Sequence, residues 1–287
     1  MPILFDYHIN YLSDSKNKSR LPFSIFGLSQ QGISHMGSSI GNQDAGNVYV
    51  GSNLLIGCVA DGCTSGNNIN NKSSNQVGAS LTSYLVCRII RKLLVKKNIA
   101  VPDLKDHLEK ELLTHFRRIG NILNPWRLER DLVINNFMTA TFLMFVVTAD
   151  DYLIFSCGDG NVYINGNSLD LVSEGGKYFS NNLLQNEQPF DRSQQHVLTV
   201  PIKITAQGKA NELESILIAT DGFIDREVIE TPRFNSFFFG THSSKLQNGF
   251  NDLKYEFRTG IADPVLAEKD GRTWPQDDAT FISLKRT

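Results

Sequence analysis

Residues 54–62 read LLIGCVADG, an apolar run that ends in an aspartate followed by a glycine. Residues 215–222, SILIATDG, repeat this arrangement, and residues 276–284, QDDATFISL, place an aspartate pair just before a third apolar run. If the three runs are neighbouring strands, their acidic ends converge at one edge of the sheets, together with Asp44 from residues 41–45, GNQDA. Carboxylates held this close together stay ionised only around a cation, and Mg²⁺ and Mn²⁺ prefer oxygen ligands. The sequence therefore predicts a metal-dependent hydrolase.

The composition is that of a globular protein without a strong overall charge. The 287 residues are 41% hydrophobic and 20% charged, with a net charge of −2. This balance excludes a disordered chain and gives no electrostatic reason to bind nucleic acid or a membrane surface. The longest strongly apolar run, residues 142–147, is too short to cross a bilayer, and the first residues lack the pattern of a secretory signal. We expect a cytoplasmic protein with no nucleic-acid partner and no membrane partner.

The cysteines fit that compartment. Cys58, Cys87 and Cys157 lie in apolar segments, where a thiol behaves as a small buried hydrophobe. Cys58 and Cys63 have the spacing C-x₄-C with no second pair nearby, which is a weak pattern for zinc. We expect buried free thiols rather than a structural zinc site.

The apolar pattern divides the chain into the strands and helices of one domain. Residues 1–21 form a polar arm in this interpretation, and residues 22–287 form the domain. The strand pattern occupies residues 23–30, 47–50, 54–60, 139–148, 152–157, 161–164, 196–205, 215–220 and 279–284. A long polar stretch at 173–195 and a mixed, partly helical segment at 225–266 separate the later strands.

Two helices are predicted between the early and the late strands. The face of the first is Val77, Leu81, Tyr84, Leu85, Arg88, Ile89 and Leu93, which recur at three- and four-residue spacing. The face of the second is Leu104, Leu108, Leu112, Phe116 and Ile119, with Pro102 and Asp103 at its start.

Other short patterns have weaker support from their surroundings. Residues 37–41, GSSIG, match the G-x-S-x-G pattern of serine hydrolases, but a strand rather than a helix is predicted after them. A single Asp-Gly pair is usually a turn. That interpretation weakens here because the pairs at 61–62, 159–160 and 221–222 all follow apolar runs. A glycine after the aspartate also lets a main-chain carbonyl approach an ion closely as a second oxygen ligand.

Five short aspartate motifs follow one another along the chain. They are NQDA at 42–45, VADG at 59–62, SCGDG at 156–160, ATDG at 219–222 and DDAT at 277–280. In this order they resemble the signature motifs of the metal-dependent serine/threonine protein phosphatases of type 2C, and the Asn-Gln form of the first motif is similar to a bacterial branch of that family. The resemblance covers roughly residues 24–285. It implies an α+β fold, a sandwich of two antiparallel β-sheets flanked by α-helices on both sides.

The resemblance also implies a role for each matched residue. Asp61 would bridge two Mn²⁺ or Mg²⁺ ions, and the carbonyl of Gly62 would be a further ligand. Asp221 and Asp277 would complete the shell of the first ion, while Asp44 would act mainly through metal-bound water. In the family, catalysis needs no protein nucleophile because the ions activate a water molecule.

Further positions follow from the same resemblance. Asp159 and Asp225 correspond to positions that hold a weaker third ion in some members. Of the neighbouring pair, Asp277 rather than Asp278 is the expected ligand. The polar stretch at 173–195 corresponds to the variable flap that the family carries beside its active site.

Three residues depart from the family pattern. Gln43 stands where many members have a glutamate, which leaves one fewer negative charge near the metals. Ser39 stands where eukaryotic members place an arginine that holds the substrate phosphate, and Cys63 replaces a histidine proposed as general acid. Bacterial members often lack those two residues, so the phosphate-holding group and the acid are left unassigned. His35 is close to the first motif, although a lone histidine is more often structural.

The sequence thus predicts a phosphomonoesterase that acts on phosphoserine or phosphothreonine in proteins, with a phosphoprotein substrate and a cognate Ser/Thr kinase as partners. The alternative is a phosphatase-fold module, catalytically weak or inactive, that binds or regulates phosphoproteins. Gln43 and Ser39 favour that alternative slightly, whereas the intact Asp61, Asp221 and Asp277 oppose it. A two-metal phosphodiesterase or nuclease would share the carboxylates but needs a basic groove, of which the net charge of −2 gives no indication.

Overall fold

The computed structural model describes residues 5–9, 21–32, 35, 41–62, 75–123, 130–171, 178–183, 200–223 and 277–287. The strands of these residues are β1 (Phe5–Ile9), β2 (Phe23–Gln30), β3 (Asp44–Val50), β4 (Leu54–Asp61), β5 (Thr141–Thr148), β6 (Asp151–Cys157), β7 (Asn161–Ile164), β8 (Asn167–Leu169), β9 (Lys203–Lys209), β10 (Ser215–Ala219) and β11 (Ala279–Arg286). They form a six-stranded sheet in the order β1-β2-β11-β10-β7-β8 and a five-stranded sheet in the order β3-β4-β5-β6-β9. All pairs are antiparallel, and the predicted sandwich is confirmed.

The central strands β4 and β5 are apolar on both faces because each face packs against a different layer. In β4, Ile56 and Cys58 pack into the core beneath the helices, whereas Leu55 and Val59 pack into the core between the two sheets. The side chains of β5 alternate between the same two cores. Successive side chains of a strand point to opposite faces, so a strand buried on both faces needs a continuous apolar run. This burial holds Asp61 at the end of β4.

In the described residues, the α-helices form a layer over the five-stranded sheet. They are α1 (Asn75–Arg91), α2 (Leu104–Leu123) and α3 (Arg130–Phe137). Helix α1 lies on β3 and β4, and α2 packs against α1. A π-helical segment, Lys92–Lys96, continues α1, and a 3₁₀ turn, Val101–Asp103, leads into α2. No helix in the described part of the chain is long and apolar enough to cross a membrane.

The outer face of the six-stranded sheet carries an aromatic cluster. Phe281 packs against Phe26 and Phe223, with ring centroids 6.0 and 4.7 Å apart respectively. The helices expected on this side of the sandwich fall in the segment 225–266, which lies outside the described residues.

The packed face of α1 differs in part from the prediction. Val77, Tyr84 and Arg88, which were expected on that face, are exposed, whereas Ala79 and Val86 are fully buried. Two overlapping sets of apolar residues on this helix have three- and four-residue spacing. The sheet packs against the set that includes the small residue Ala79. Four predicted members of the face are buried or half-buried: Leu81, Leu85, Ile89 and Leu93.

Other elements also differ from the prediction. A strand was predicted at 196–205, but residues 200–202 lie outside any strand and β9 runs from Lys203 to Lys209. The unpredicted end of β9 is largely polar, which an edge strand with one neighbour tolerates. Part of the expected N-terminal arm forms β1, which pairs with β2. Helix α3 was not predicted. Cys58, Cys87 and Cys157 are buried free thiols, as predicted.

Candidate metal centre

The ends of the strands bring the predicted aspartates to one end of the sandwich. Asp44 begins β3 and is paired with Asp61, the last residue of β4. In the other sheet, Asp221 follows the end of β10, and Asp277 precedes the start of β11. Because β10 and β11 are antiparallel neighbours, the end of one lies beside the start of the other. Each sheet therefore contributes two of the four aspartates.

The carboxylates are close enough to raise one another's pKa. Burial, followed by the charges of Asp221, Asp277 and Asp159, raises the pKa of Asp61 to about 7, and a hydrogen bond with Asp44 acts in the opposite direction. Burial also raises the pKa of Asp221, and the charges of Asp159 and Asp277 add to that effect. Acidic groups this close ionise together only when a cation lies among them. Asp159, predicted as a ligand of a third ion, therefore belongs to the cluster.

Asp44 has one carboxylate oxygen without a protein donor. Its side chain is buried, and burial followed by the charge of Asp61 raises its pKa well above the ordinary value. Thr220 Oγ1 donates a hydrogen bond of 2.6 Å to Asp44 Oδ2. Among the described residues, no amide N–H or hydroxyl group donates a hydrogen bond to Asp44 Oδ1. A buried oxygen without a partner is costly, and a hard divalent cation or its water supplies one. The oxygen-only donor set of the cluster fits Mg²⁺ or Mn²⁺.

The neighbouring Asp277 and Asp278 have different surroundings. Asp278 is buried, and its carboxylate accepts hydrogen bonds from the main-chain N–H groups of Gly32, at 2.7 Å, and Gln43. His35 Nδ1 lies 2.8 Å from Asp278 Oδ2. The Asp277 side chain is 62% exposed and faces the aspartate cluster. This arrangement favours Asp277 as a metal ligand. Asp278 instead connects the segment before β3 to the start of β11 through its hydrogen bonds.

His35 stands beside both members of that pair. Its Nε2 atom lies 3.6 Å from Asp277 Oδ1, and one ligand atom from each of the three side chains lies within 4.8 Å of the others. Such a group could itself hold an ion. However, main-chain N–H groups already occupy both oxygens of Asp278, so the oxygens around Asp44 and Asp61 are the better cation ligands.

A buried polar network behind the aspartates was not assigned any role from the motifs. The N–H of Thr280 donates to Thr220 Oγ1 at 2.9 Å, and Thr280 Oγ1 donates to Ser29 Oγ at 2.6 Å. Asn42 Nδ2 donates to the same serine oxygen at 2.9 Å, and Asn42 Oδ1 accepts the N–H of Asp44, also at 2.9 Å. The sequence feature that could have predicted this network is the presence of hydroxyl and amide side chains within the motifs, next to apolar runs.

Two of the Asp-Gly pairs have a steric reason for glycine. A Cβ atom on Gly222 would lie 2.0 Å from the carbonyl oxygen of Asp278. Gly160 has a φ of +117°, and a Cβ atom there would lie 2.7 Å from the carbonyl oxygen of Ala219. Only glycine adopts a positive φ at no steric cost. These glycines therefore allow the strand ends that carry the aspartates to approach one another.

The N–H of Gly62 donates to the carbonyl of Gln43 at 3.1 Å, and the proposed role of the Gly62 carbonyl as a ligand stays a prediction. The predicted flap is described only at 178–183, where Phe179 packs on Phe116 of α2 with ring centroids 6.1 Å apart. Three positions of interest lie outside the described residues: Ser39, Cys63 and Asp225.

A sequence model of one protein family covers most of the chain. The family is described as Protein phosphatase 2C, and its model matches residues 31–256. No match was found among curated proteins.

Solved structures share the fold. PppA of Pseudomonas aeruginosa, described as a key regulatory component of T6SS, is 16% identical, with a TM-score of 0.52 over 92% of this chain and 98% of its own. The serine/threonine phosphatase Stp1 from Staphylococcus aureus is 15% identical, with a TM-score of 0.50 over 91% and 94%. The catalytic domain of the phosphatase PstP, solved with 2 manganese ions, is 13% identical, with a TM-score of 0.50 over 92% and 97%. At these identities the likeness concerns the fold alone.

Proposed function

The chain belongs to the protein phosphatase 2C family, and from this premise we propose that it removes phosphate from phosphoserine and phosphothreonine in proteins with two bound Mn²⁺ or Mg²⁺ ions. The observation that carries the proposal is the convergence of Asp44, Asp61, Asp221 and Asp277 at one end of the sandwich. The partners in this proposal are a phosphoprotein substrate and the Ser/Thr kinase that supplies its phosphate.

The charges around Asp61 support this residue as a ligand of the proposed ions. Asp44 is paired with it on the neighbouring strand, and the charges of Asp221, Asp277 and Asp159 also act on it. When bound, divalent ions would supply Lewis acidity and lower the pKa of a water molecule. The pKa of Asp61, which is about 7 without metal, would fall as the ions bind, so metal binding near neutral pH would release protons.

The surrounding residues would hold the ligands in position before any ion binds. The hydroxyl of Thr220 orients Asp44, and the main-chain N–H groups of Gly32 and Gln43 hold Asp278 next to Asp277. Partners of this kind raise metal affinity because the ligands do not have to be ordered on binding. Asp159 and Asp225 remain the proposed ligands of a third ion.

The test is phosphate release from a phosphothreonine peptide by the full chain after chelator treatment, with and without added Mn²⁺. We expect release only with metal, and none from the folded Asp221→Asn variant. A phosphodiester, bis(p-nitrophenyl) phosphate, measured in parallel separates a monoesterase from a diesterase. Calorimetric titration with Mn²⁺ shows whether an inactive protein still binds metal. Metal binding without phosphate release would contradict the proposed activity and favour a regulatory module.

A further inference from the structure

A groove lined by basic residues lies on the helical side of the sandwich. It runs between the edge strand β3 and the C-terminal half of α1, reaches α2, and has a volume of about 670 Å³. Arg88, Arg91, Lys92 and Lys96 line it, and within the described part of the chain no aspartate or glutamate does. We propose that this groove binds an acidic peptide segment of a partner protein.

The groove is separate from the aspartate cluster. On β3 its lining begins at Asn47, three residues after Asp44, which corresponds to about 10 Å at the rise of a strand. On α1 its lining begins at Tyr84, eight residues beyond Gln76, which corresponds to about 12 Å of helix. Gln76 marks the end of α1 near the first motif, because a Cβ atom on Gly41 would lie 2.8 Å from its side-chain oxygen. Along both elements the groove lining therefore begins about 10 Å or more from the residues nearest the candidate metal centre.

Most of the basic residues in the groove have no ion pair with a described residue. Lys92 forms an ion pair of 3.1 Å with Glu111. In contrast, Arg88, Arg91 and Lys96 have no ion pair with any described carboxylate. At His115, which also lines the groove, burial followed by nearby cations lowers the pKa, although Glu111 acts in the opposite direction. The local field is thus positive although the chain carries a net charge of −2.

The two arginines are held in place by tyrosines. Arg88 Nη1 donates a hydrogen bond of 3.1 Å to the hydroxyl of Tyr84, and the guanidinium of Arg91 lies over the ring of Tyr49, 4.6 Å from its centroid. Each guanidinium has five N–H donors, so both keep free donors for a carboxylate. An arginine ordered in this way loses less conformational entropy when it pairs with an acidic group.

The uncharged part of the groove lining is better suited to a peptide than to nucleic acid. Tyr84 is 49% exposed and Val95, in the π-helical segment, is 59% exposed, and both line the groove. These side chains offer apolar contact area between the cations, which a segment of acidic and apolar residues would match. A nucleic acid instead needs a longer run of cations that follows its phosphates. Because the groove lies away from the aspartates, it does not support the nuclease alternative either.

The test measures binding without reference to catalysis. A fluorescein-labelled decapeptide of glutamate, aspartate and leucine is titrated with the full chain in chelator, and fluorescence anisotropy is recorded. Binding should weaken by about tenfold or more between low and physiological salt, because exposed charges are screened. The same peptide with every acid replaced by its amide should not bind.

Single charge reversals locate the site. Arg88→Glu and Lys96→Glu should each weaken binding by about fivefold or more. Lys110→Glu makes the same change in net charge on an exposed residue of α2 outside the groove lining and should have no effect. The metal-dependent hydrolysis of p-nitrophenyl phosphate should be unchanged in all three variants.

Three results would overturn the proposal. They are the absence of salt-dependent binding, an equal effect of Lys110→Glu, and tighter binding of an oligothymidylate of the same length, which would reassign the groove to nucleic acid. If the proposed phosphatase activity fails, the anisotropy result still stands, because the titration needs neither metal nor turnover.

Discussion

Thr220 Oγ1 donates a hydrogen bond of 2.6 Å to Asp44 Oδ2, and this bond joins the two sheets at the candidate metal centre. Thr220 follows β10 in one sheet, and Asp44 begins β3 in the other. The same hydroxyl oxygen accepts the main-chain N–H of Thr280 at 2.9 Å, so its position is determined from both sides. A carboxylate oriented through one oxygen keeps the other, here Oδ1, available to an ion of the proposed centre or to its water.

Thr220→Val should therefore weaken metal binding. The substitution keeps the shape of the side chain but removes the donor, so we expect Mn²⁺ affinity to fall by about 10–100-fold. The free energy of unfolding should also fall by about 1–3 kcal/mol, because Asp44 is left with an unsatisfied buried oxygen. Titration calorimetry and urea unfolding of the chelator-treated protein measure the two effects. Thr220→Ser, which keeps the hydroxyl, should stay close to the unmodified protein, and an unaltered Val variant would show that this bond does not orient Asp44.

The metal-free protein should lose stability as the pH rises towards 7. The pKa of Asp61 is raised from 3.8 to about 7 in the folded protein, by burial first and by Asp221 second. Between these values the folded state keeps a proton that the unfolded chain releases, so the free energy of unfolding decreases with rising pH and levels off above about 7. The contribution of Asp61 is on the order of a few kcal/mol. The raised pKa of Asp44 acts in the same direction.

Urea unfolding in chelator between about pH 5 and pH 8 measures this dependence. Asp61→Asn has no titrating group at this position and should flatten the profile. Saturating Mn²⁺ should raise the stability most at the upper end of the range, because the ionised carboxylates then have their counter-ion. If the free energy of unfolding of the metal-free protein increased with pH over this range, the raised pKa of Asp61 would be contradicted.

Asp277→Asn and Asp278→Asn should fail in different ways. Asp277 is 62% exposed on its side chain, so its amide should reduce Mn²⁺ affinity while the free energy of unfolding changes by about 0.5 kcal/mol or less. Asp278 is buried and accepts two main-chain N–H groups. In Asp278→Asn, the side-chain NH₂ group would face one of those N–H donors. The free energy of unfolding should therefore fall by about 1–3 kcal/mol.

Calorimetry and urea unfolding of both variants make that comparison directly. If Asp278→Asn abolished Mn²⁺ binding with its stability intact, and Asp277→Asn did not, the order of the two residues in the site would have to be reversed.

Local pattern was enough to predict many elements but not their partners. Phe23–Gln30 and Asn161–Ile164 form strands with the predicted bounds, because apolar runs between polar segments leave few alternatives. The first strand, Phe5–Ile9, was missed because a run of five residues next to a polar stretch becomes a strand only through its pairing with β2. The packed face of α1 depended on the sheet beneath it, which the helix sequence does not describe.

In the candidate site, too, local sequence predicted the residues but not their contacts with distant residues. Asp61 and Asp221 were found because each ends an apolar run and is followed by glycine, and Asp277 was found because it lies just before such a run. Asp44 was added from the short motif NQDA, and each of these patterns is visible in a single segment. The bond from Thr220 to Asp44 spans 176 positions, so no local pattern contains it. Similarly, the different surroundings of Asp277 and Asp278 depend on main-chain N–H groups of Gly32 and Gln43, which lie more than 200 positions away.

Gly222→Ala should disturb the site through the main chain alone. The added Cβ atom would lie 2.0 Å from the carbonyl oxygen of Asp278 and 3.2 Å from Cβ of Asp277, so the start of β11 must move away from the end of β10. We expect weaker Mn²⁺ binding and a loss of stability of about 1–3 kcal/mol, measured by calorimetry and urea unfolding. Gly120→Ala in α2 is the matched control, because among the described residues its Cβ would meet only Met138 Sδ, at 3.8 Å. That change should leave metal binding intact and stabilise the helix by about 0.5–1 kcal/mol. Equal effects of the two substitutions would mean that the closeness of the strand ends does not determine metal affinity.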